Sequence, residues 1–385
     1  MKKLRVLFFR PDYHSSFALV DGLRQLGHKA DVYVPWNYPT KLIFSQHDIK
    51  RLSEFNERLY EKCLNPPKSR VRRKIVALAY YSSEIIEIVW LTLKYDVIYF
   101  YGSFDPVQIP FLSILKRLRK RMFLLPSGCN DEDSKASWMM EDNGNVCGNC
   151  GFFDRCTDES NLKRLNITRK YMNGVSGGGY RPSSQLEAIP FRGKAIDLDL
   201  WRPESAETMT EDDSKVRVMH SFASNGRDFK GRNIKGSPFV LKAIENMAQD
   251  GLPVELFYAT DTPSNQMRFK QAKADIIVDQ LIYGWWGSTA LEGMALGKPV
   301  VCYLNPKFEA NFYKTFPEYE GRLPIVRANT SNIEQVLRSL VNDGELRKRL
   351  GQESREFAES WLDPYRATQE LLRFFAGETG LNERS

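Results

Sequence analysis

Residues 274–303 carry groups that suit a phosphate with a sugar beside it. Gly287 follows an apolar run, and Ser288 and Thr289 then stand where they can cap the start of a helix. The unpaired N–H groups and the positive dipole end of such a helix start favour an anion. Glu292, about one turn further along, can accept hydrogen bonds from sugar hydroxyls. An ordinary crossover between two strands, with a solvated glutamate, explains the same residues equally well.

Residues 292–300, in the second half of this segment, read EGMALGKPV. They resemble the end of the nucleotide-sugar signature of retaining glycosyltransferases with the GT-B fold, the group 1 or family 4-like enzymes. That signature is a Glu, seven residues and a second Glu, which opens a helix of the form E-A-M-A-x-G-x-P-V. The resemblance gives Glu292 the role of holding the ribose of the nucleotide. Gly284 stands where the first Glu of the family holds the donor sugar. That role passes to Asp279 or to the tryptophan pair at 285–286, although paired tryptophans more often pack in a core.

The same resemblance implies cations at the donor site. Lys235 precedes a helix, as does the family lysine that neutralises the donor diphosphate together with an upstream arginine, here Arg227 or Arg232. Fixed cations suit this reaction because the departing nucleotide diphosphate gathers negative charge. A solvated loop is the competing interpretation. His220 ends a strand and is expected to face the cleft as a donor-site residue. The predicted catalytic residues are Arg227, Lys235 and Glu292.

The first half of the chain alternates strands and helices, so the carboxyl ends of its strands should line one sheet edge, where ligands bind. His14, Ser127 and Asp131 fall at such ends and are the acceptor-side candidates. In the resembling family a His-Gly pair with a nearby Asp stands at this place. Ser127 replaces that histidine, and Asn130 or Asp131 takes the Asp position. An exposed loop histidine is the competing interpretation of His14.

Four cysteines, hereafter the cysteine cluster, lie in a polar segment with the spacing C-x17-C-x2-C-x5-C: Cys129, Cys147, Cys150 and Cys156. Four thiolates in one loop suit a tetrahedral structural zinc site. Free thiols, a redox CxxC and an iron–sulfur cluster remain alternatives, because spacing does not separate them. No cofactor is expected for catalysis, since the chemistry of the resembling enzymes does not need a metal.

The length of 385 residues suits two domains better than a single core. We expect an α/β protein with the GT-B fold, in which two Rossmann-like, doubly wound parallel-sheet domains face a central cleft. Residues 1–205 would form the acceptor-binding domain, with a cysteine-rich insertion at about 129–156. Residues 215–360 would bind the nucleotide sugar. Residues 361–385 resemble the C-terminal helix that crosses back to the first domain in this fold.

Positive charge is concentrated near the start of the chain, where residues 1–125 hold 22 Lys and Arg against 11 Asp and Glu. Two clusters dominate, at residues 68–74 before an apolar helix and at residues 116–121 at the end of another. The first helix can lie on an anionic membrane surface, whereas Glu84 and Glu87 argue against a transmembrane span. Solvated helix ends are the competing interpretation, and nucleic acid is a less favoured partner.

Arg10 follows the first apolar run too closely for a signal peptide. A cytoplasmic protein is therefore expected, with a peripheral position at the cytoplasmic face of the membrane as a variant. The sequence predicts a retaining, metal-independent, hexosyltransferase-type enzyme that moves a sugar from a nucleotide-diphosphate sugar to a glycan or lipid-linked acceptor. Three alternatives stay open: a catalytically degenerate nucleotide-sugar-binding protein, a nucleotide-sugar epimerase of similar fold, and a glycosyltransferase acting on nucleic acid.

Overall fold

The computed structural model describes residues 3–36, 38, 49–102, 104, 106–141, 145–177, 188–190, 192–203, 214–220, 228–229, 231–257 and 262–377. Arg227 and residues 204–213, at the boundary between the two predicted domains, lie outside these residues. The described residues form two parallel sheets with helices packed against them, and a short antiparallel ribbon.

The first half of the chain alternates strands and helices, as its sequence predicts. Its elements are β1 (Arg5–Phe9), α1 (Ser15–Gln25), β2 (Lys29–Tyr33), β3 (Ile49–Lys50), α2 (Glu54–Leu64), α3 (Arg70–Thr92), β4 (Val97–Tyr101), α4 (Ile109–Arg117), β5 (Arg121–Leu125), α5 (Cys129–Glu132), α6 (Lys135–Glu141), α7 (Asn145–Gly148), α8 (Asp158–Tyr171), β6 (Gly174–Gly177) and β7 (Ala188–Pro190). The strands pair in parallel in the order β3-β2-β1-β4-β5-β6-β7. β1 and β4 are nearly continuous apolar runs because both faces of this sheet are covered by helices.

The second half builds a smaller sheet of the same kind. Its elements are β8 (Val216–His220), β9 (Asp228–Phe229), β10 (Arg232–Asn233), α9 (Ser237–Gln249), β11 (Val254–Phe257), α10 (Ser264–Ala272), β12 (Ile276–Val278), α11 (Ser288–Ala295), β13 (Val300–Cys302), α12 (Pro306–Thr315), β14 (Ile325–Arg327), α13 (Ile333–Asn342), α14 (Gly344–Trp361) and α15 (Pro364–Ala376). Five strands pair in parallel in the order β11-β8-β12-β13-β14, while β9 and β10 form the antiparallel ribbon. Both sheets are therefore doubly wound, and the α/β fold class is confirmed.

The last helix, α15, packs against the first sheet rather than the second. Leu371 and Phe375 lie in one apolar core with Phe8 of β1 and residues of α1. Gly22 of α1 meets α15 so closely that a Cβ on it would lie 2.2 Å from Thr368 Oγ1. Only glycine allows this approach, so the contact between the two helices depends on it.

A buried arginine adds a polar connection between the halves. Arg192 Nη1 lies 3.4 Å from Glu370 Oε1, and Arg192 Nη2 lies 3.2 Å from Glu318 Oε1. Its guanidinium also stands over the rings of Tyr319 and Trp361. Because both Arg192 and Glu370 are buried, removing either partner would leave an uncompensated charge.

The cysteine-rich insertion folds as three short helices, α5 to α7, and reaches the second half of the chain. Trp138 is buried, and its ring lies 5.6 Å from that of Tyr283 and 6.1 Å from that of Phe308. Arg232 of the antiparallel ribbon stands over Phe153 and lies 3.3 Å from Asp154 Oδ1. The insertion therefore links the two halves on one side of the molecule.

Candidate functional site

The turn between β12 and α11 has the predicted strand, turn and helix, but its cap differs from the prediction. Gly287 is the N-cap and has no side chain to cap the helix, so the capping role predicted for Ser288 and Thr289 is wrong. The buried carboxylate of Asp279 replaces it, because Asp279 Oδ2 accepts a hydrogen bond from the Gly287 N–H at 2.5 Å. A negative charge therefore already stands at the helix start that the sequence assigns to a phosphate.

Gly284 shows why the first glutamate of the signature is missing from this turn. Its φ of 90° lies in the left-handed region, and a Cβ there would lie 2.9 Å from Asn305 Cβ. A side chain at this position would therefore collide with its neighbour. Trp285 and Trp286 stack at 4.1 Å and pack against Phe312 within a large aromatic core. Because both tryptophans pack in the core, Asp279 is the remaining candidate for the role of the missing glutamate.

Lys235 supplies the positive charge opposite Asp279. Lys235 Nζ lies 3.3 Å from Asp279 Oδ1, and the lysine side chain is only 12% exposed. The loop that holds Lys235 is fixed by its own carbonyl, which accepts from the Leu281 N–H at 3.0 Å. This arrangement gives the predicted diphosphate cation a defined place beside the start of α11.

His220 does not face the cleft as the sequence predicts, because it is fully buried. Its Nδ1 lies 2.9 Å from the Val278 carbonyl and its Nε2 lies 2.8 Å from Ser237 Oγ. A carbonyl only accepts, so Nδ1 carries the proton and Nε2 accepts from the serine hydroxyl. Burial lowers the pKa of His220 to about 4, with the positive charge of Lys235 adding to the effect. His220 therefore fastens the ends of β8 and β12 to the start of α9 as a neutral ring.

Glu292 lies in the same neighbourhood, on the buried side of α11. Gln271 Nε2 donates to Glu292 Oε2 at 2.5 Å, and His14 Nδ1 lies 3.5 Å from Glu292 Oε1. The pKa of Glu292 is raised to about 7, mainly by burial; the charge of Asp279 contributes to this rise, whereas Gln271, Lys235 and Lys194 oppose it. A carboxyl with a pKa near neutral pH, close to two lysines, marks a candidate functional site.

His14 belongs to the first half of the chain, so its contact with Glu292 joins the two halves at the site. Its side chain is 7% exposed, and the competing interpretation of an exposed loop histidine is wrong. Burial lowers the pKa of His14 to about 4; the charge of Asp12 opposes this effect and that of Lys194 supports it. His14 is therefore neutral at pH 7, and its ring lies 5.0 Å from that of Trp201.

The loop that carries His14 is strained and held by an ion pair that the sequence did not reveal. Arg10 and Tyr13 both have positive φ values, of 69° and 45°. Lys194 Nζ donates to Asp12 Oδ2, and the same ammonium stands 5.6 Å from the centre of the Tyr101 ring. Non-glycine residues in the left-handed region are uncommon and gather at functional sites.

The remaining acceptor-side candidates form a pair of their own. The backbone N–H and the hydroxyl of Ser127 both donate to Asp131 Oδ2, at 2.9 and 2.7 Å. Asp131 is buried and shapes the turn after β5, whereas Ser127 is exposed. Ser127 lies beside Gly102 at the end of β4, since a Cβ on that glycine would be 3.2 Å from Ser127 Oγ.

The cysteine cluster has four free thiols. The pKa of Cys129 is raised to about 12, mainly by burial, and the charges of Cys150, Cys156 and Cys147 contribute to this rise, so the four side chains are near one another. The Phe152 N–H donates to Cys150 Sγ at 3.4 Å, as backbone groups do around metal thiolates. Within the described residues, however, no group of three His, Cys, Asp or Glu side chains is arranged to hold a metal. As placed here, the thiols do not fit a closed zinc site, and zinc stays a prediction.

Comparison with known proteins relates this chain to others through structure alone. No family model matches the sequence, and no curated protein matches it. Sucrose-phosphate synthase from Thermosynechococcus elongatus superposes with a TM-score of 0.58 at 12% identity, covering 97% of this chain and 99% of that one. Spinosyn forosaminyltransferase SpnP gives a TM-score of 0.49 at 12% identity, covering 97% and 100% of the two chains. The glycosyltransferase VinC in complex with dTDP gives 0.46 at 13% identity, with the same two coverages. The superposition on sucrose-phosphate synthase, together with the two doubly wound sheets, supports the GT-B fold that the sequence predicts.

Proposed function

We propose that this protein is a retaining glycosyltransferase that takes its sugar from a nucleotide-diphosphate donor without a catalytic metal. The observation that carries the proposal is the position of Glu292. It is a buried carboxyl with a pKa of about 7, under the influence of Lys235 and Lys194, and His14 meets it from the other half of the molecule. Such a site offers hydrogen-bond acceptors for ribose hydroxyls and cations for a diphosphate, at the place where two sheets meet.

The chemistry follows from where charge develops in the reaction. When the bond between the sugar and the diphosphate breaks, the diphosphate gains negative charge, and fixed cations stabilise this state more than the bound substrate. In this proposal Lys235, beside the start of α11, supplies that charge, and the N–H groups of the helix start add to it. Lys235 and the Gly287 N–H both donate hydrogen bonds to Asp279. The diphosphate of the donor therefore has to replace the Asp279 carboxylate as their acceptor. Asp279 is then released to act toward the sugar.

The test is to incubate the purified protein with a panel of nucleotide sugars and candidate glycan and lipid-linked acceptors. The expected result is sugar transfer that persists in chelator, with the anomeric configuration of the donor kept in the product. An inverted product would contradict the retaining assignment alone, while dependence on added metal would contradict metal independence. Glu292→Gln should abolish transfer, and Glu356→Gln, an exposed change on α14, is the matched control.

A second candidate function is nucleotide-sugar binding without transfer. It is favoured by the turn at Gly284, where the left-handed backbone and Asn305 leave no room for the signature glutamate. Tight binding of several donors, with neither transfer nor hydrolysis, would support it. Conversion of a donor to its epimer without any acceptor would instead support an epimerase.

A further inference from the structure

Helix α3 (Arg70–Thr92) presents a long apolar face to solvent. Its exposed apolar side chains recur at helical spacing, and Leu78 is 70% exposed, Trp90 68% and Ile86 67%. The full set is Val71, Ile75, Leu78, Tyr81, Ile86 and Trp90, with Leu93 following at the helix end. A helix of a soluble domain normally turns such a stripe to the core, and large exposed apolar patches mark interaction sites. Among the described residues, α3 is also the one helix that is long and apolar enough to cross a membrane.

The two carboxylates of α3 lie on its opposite face. Glu87 accepts hydrogen bonds from the N–H and the hydroxyl of Ser53, at 2.7 and 2.8 Å, which ties α3 to the start of α2. Glu84 accepts from the Tyr80 hydroxyl at 3.1 Å, and Tyr80 is buried. The residues that oppose a transmembrane span are thus turned to the protein. The helix is held along the molecule, and its outward face is free to lie on a surface.

Positive charge stands at one end of this face. Lys68, Arg70, Arg72, Arg73 and Lys74 surround the first turn of α3, and no acidic residue occurs between Glu61 and Glu84. The positive end of the helix dipole adds to this charge. By contrast, the second basic cluster serves the fold, since Lys116 Nζ donates to the Lys170 carbonyl and Lys120 Nζ to those of Leu93 and Tyr95.

The charged end also points toward the edge of the sheet where the candidate site lies. Burial raises the pKa of Glu84, and the charge of Arg10, which directly follows β1, opposes this rise. Burial also raises the pKa of Tyr33 at the end of β2, and the charge of Glu84 contributes to that rise. The middle of α3 is therefore near the carboxyl ends of β1 and β2. The helix ends shortly before β4. The N–H of Asp96, directly before β4, donates to the carbonyl of Arg5, the first residue of β1, so this end of the helix lies at the opposite edge of the sheet. Its first turns therefore extend beyond the carboxyl edge of the first sheet.

We propose that the outward face of α3 binds the surface of a membrane rich in anionic lipid, with its apolar side chains in the interface and residues 68–74 on the lipid headgroups. An apolar stripe with interfacial aromatics and cations at one end fits this surface. A protein partner would need an acidic patch at one end of a long apolar groove. The inference does not rest on the proposed glycosyl transfer, because lipid binding is measured without any donor.

The test uses the full chain and vesicles of phosphatidylcholine, with or without phosphatidylserine, in a co-sedimentation assay. We expect binding to the anionic vesicles that weakens as salt rises. Reversing Arg72, Arg73 and Lys74 to Glu should weaken binding by at least roughly 100-fold, because three cations are lost and three anions are added. Leu78→Ser with Ile86→Ser should weaken it by roughly tenfold or more. Matched controls at exposed positions elsewhere are Lys348→Glu and Phe239→Ser, which should bind like the unmodified chain.

Several results would overturn the proposal. One is a failure of the unmodified chain to sediment with anionic vesicles at low salt, and another is vesicle binding that survives either set of changes. A third is a chain that binds no lipid but forms a dimer, which the Leu78 and Ile86 changes convert to monomer. Hydrogen exchange on the unmodified chain gives a reading that needs no variant. Residues 70–93 should gain protection with anionic vesicles and not with pure phosphatidylcholine, and no gain would count against the proposal.

Discussion

The change Glu292→Gln should make the protein more stable at neutral pH and weaken its binding of nucleotides. Burial raises the pKa of Glu292 to about 7 from an ordinary value of 4.5, so the folded chain disfavours the charged form. The stability linked to the protonated carboxyl is complete below pH 4.5 and is lost as the pH rises through about 7. Glutamine does not ionise, so the variant escapes this loss.

The size of the effect follows from the pKa difference. Each pKa unit corresponds to about 1.4 kcal/mol, so ionisation of Glu292 costs at most about 3 kcal/mol above neutral pH. With an unfolding entropy of about 2 cal/mol/K per residue, this corresponds to a melting temperature raised by about 3 to 4 °C for a chain of 385 residues. Near the ordinary pKa of glutamate the difference should vanish. His14 titrates in both proteins, so comparing them removes most of its contribution.

The assay is a thermal melt of both proteins between about pH 5 and pH 8, with Glu356→Gln as the exposed control. Nucleoside diphosphate binding is then measured by calorimetry at neutral pH. Loss of a charged hydrogen bond should weaken binding by about 1.5 to 3 kcal/mol, or roughly 10- to 150-fold. A substitution that raises the stability of the protein and weakens ligand binding is expected at a residue kept for binding rather than for folding. A melting difference that does not change with pH, or unchanged affinity, would refute the reasoning.

Three further predictions concern Lys235, the contact of Gly22 with Thr368, and the cysteine cluster. Lys235→Met should weaken nucleoside diphosphate binding by roughly tenfold or more while sparing nucleoside binding, and equal losses in calorimetry would contradict a diphosphate role. Gly22→Ala should lower the melting temperature because its Cβ meets Thr368 Oγ1, and adding Thr368→Ala should recover part of the loss; an unchanged melt of the single variant would disprove the close packing. Zinc at the cysteine cluster requires the four thiols to move together on binding, since they do not form a closed site as observed; elemental analysis should then find about one zinc per chain, whereas free alkylation of all four thiols in folded protein without metal would exclude it.

The parts of the fold that the sequence predicts best are those with strong local patterns. The apolar runs of β1 and β12 and the amphipathic pattern of α1 predict elements close to those observed. The alternation of strands and helices gives the parallel sheets, because crossovers require it. The sequence predicts Glu292 and Lys235 at one site because each lies in a short run of residues that resembles a family motif.

The parts that the sequence does not predict depend on contacts between distant segments. The ion pair of Asp12 with Lys194 joins residues 182 positions apart, and neither residue lies in a recognisable motif. Gln271 is buried against Glu292 from another helix, with no local signal at all. The burial of His220 and the capping of α11 by Asp279 likewise depend on the exact spacing of β8, β12 and α9. Local propensity favours Ser288 and Thr289 as caps, whereas the observed cap is the buried carboxylate of Asp279, directly after β12.

The most direct test of the central claim is a crystal structure of the protein with a bound nucleoside diphosphate. We predict that the ribose hydroxyls donate hydrogen bonds to the Glu292 carboxylate and that the diphosphate lies between Lys235 and the start of α11. Asp279 should then no longer accept from the Gly287 N–H. A nucleotide bound elsewhere, or a cleft that stays empty at saturating nucleotide with the contacts of Glu292 to His14 and Gln271 intact, would contradict it.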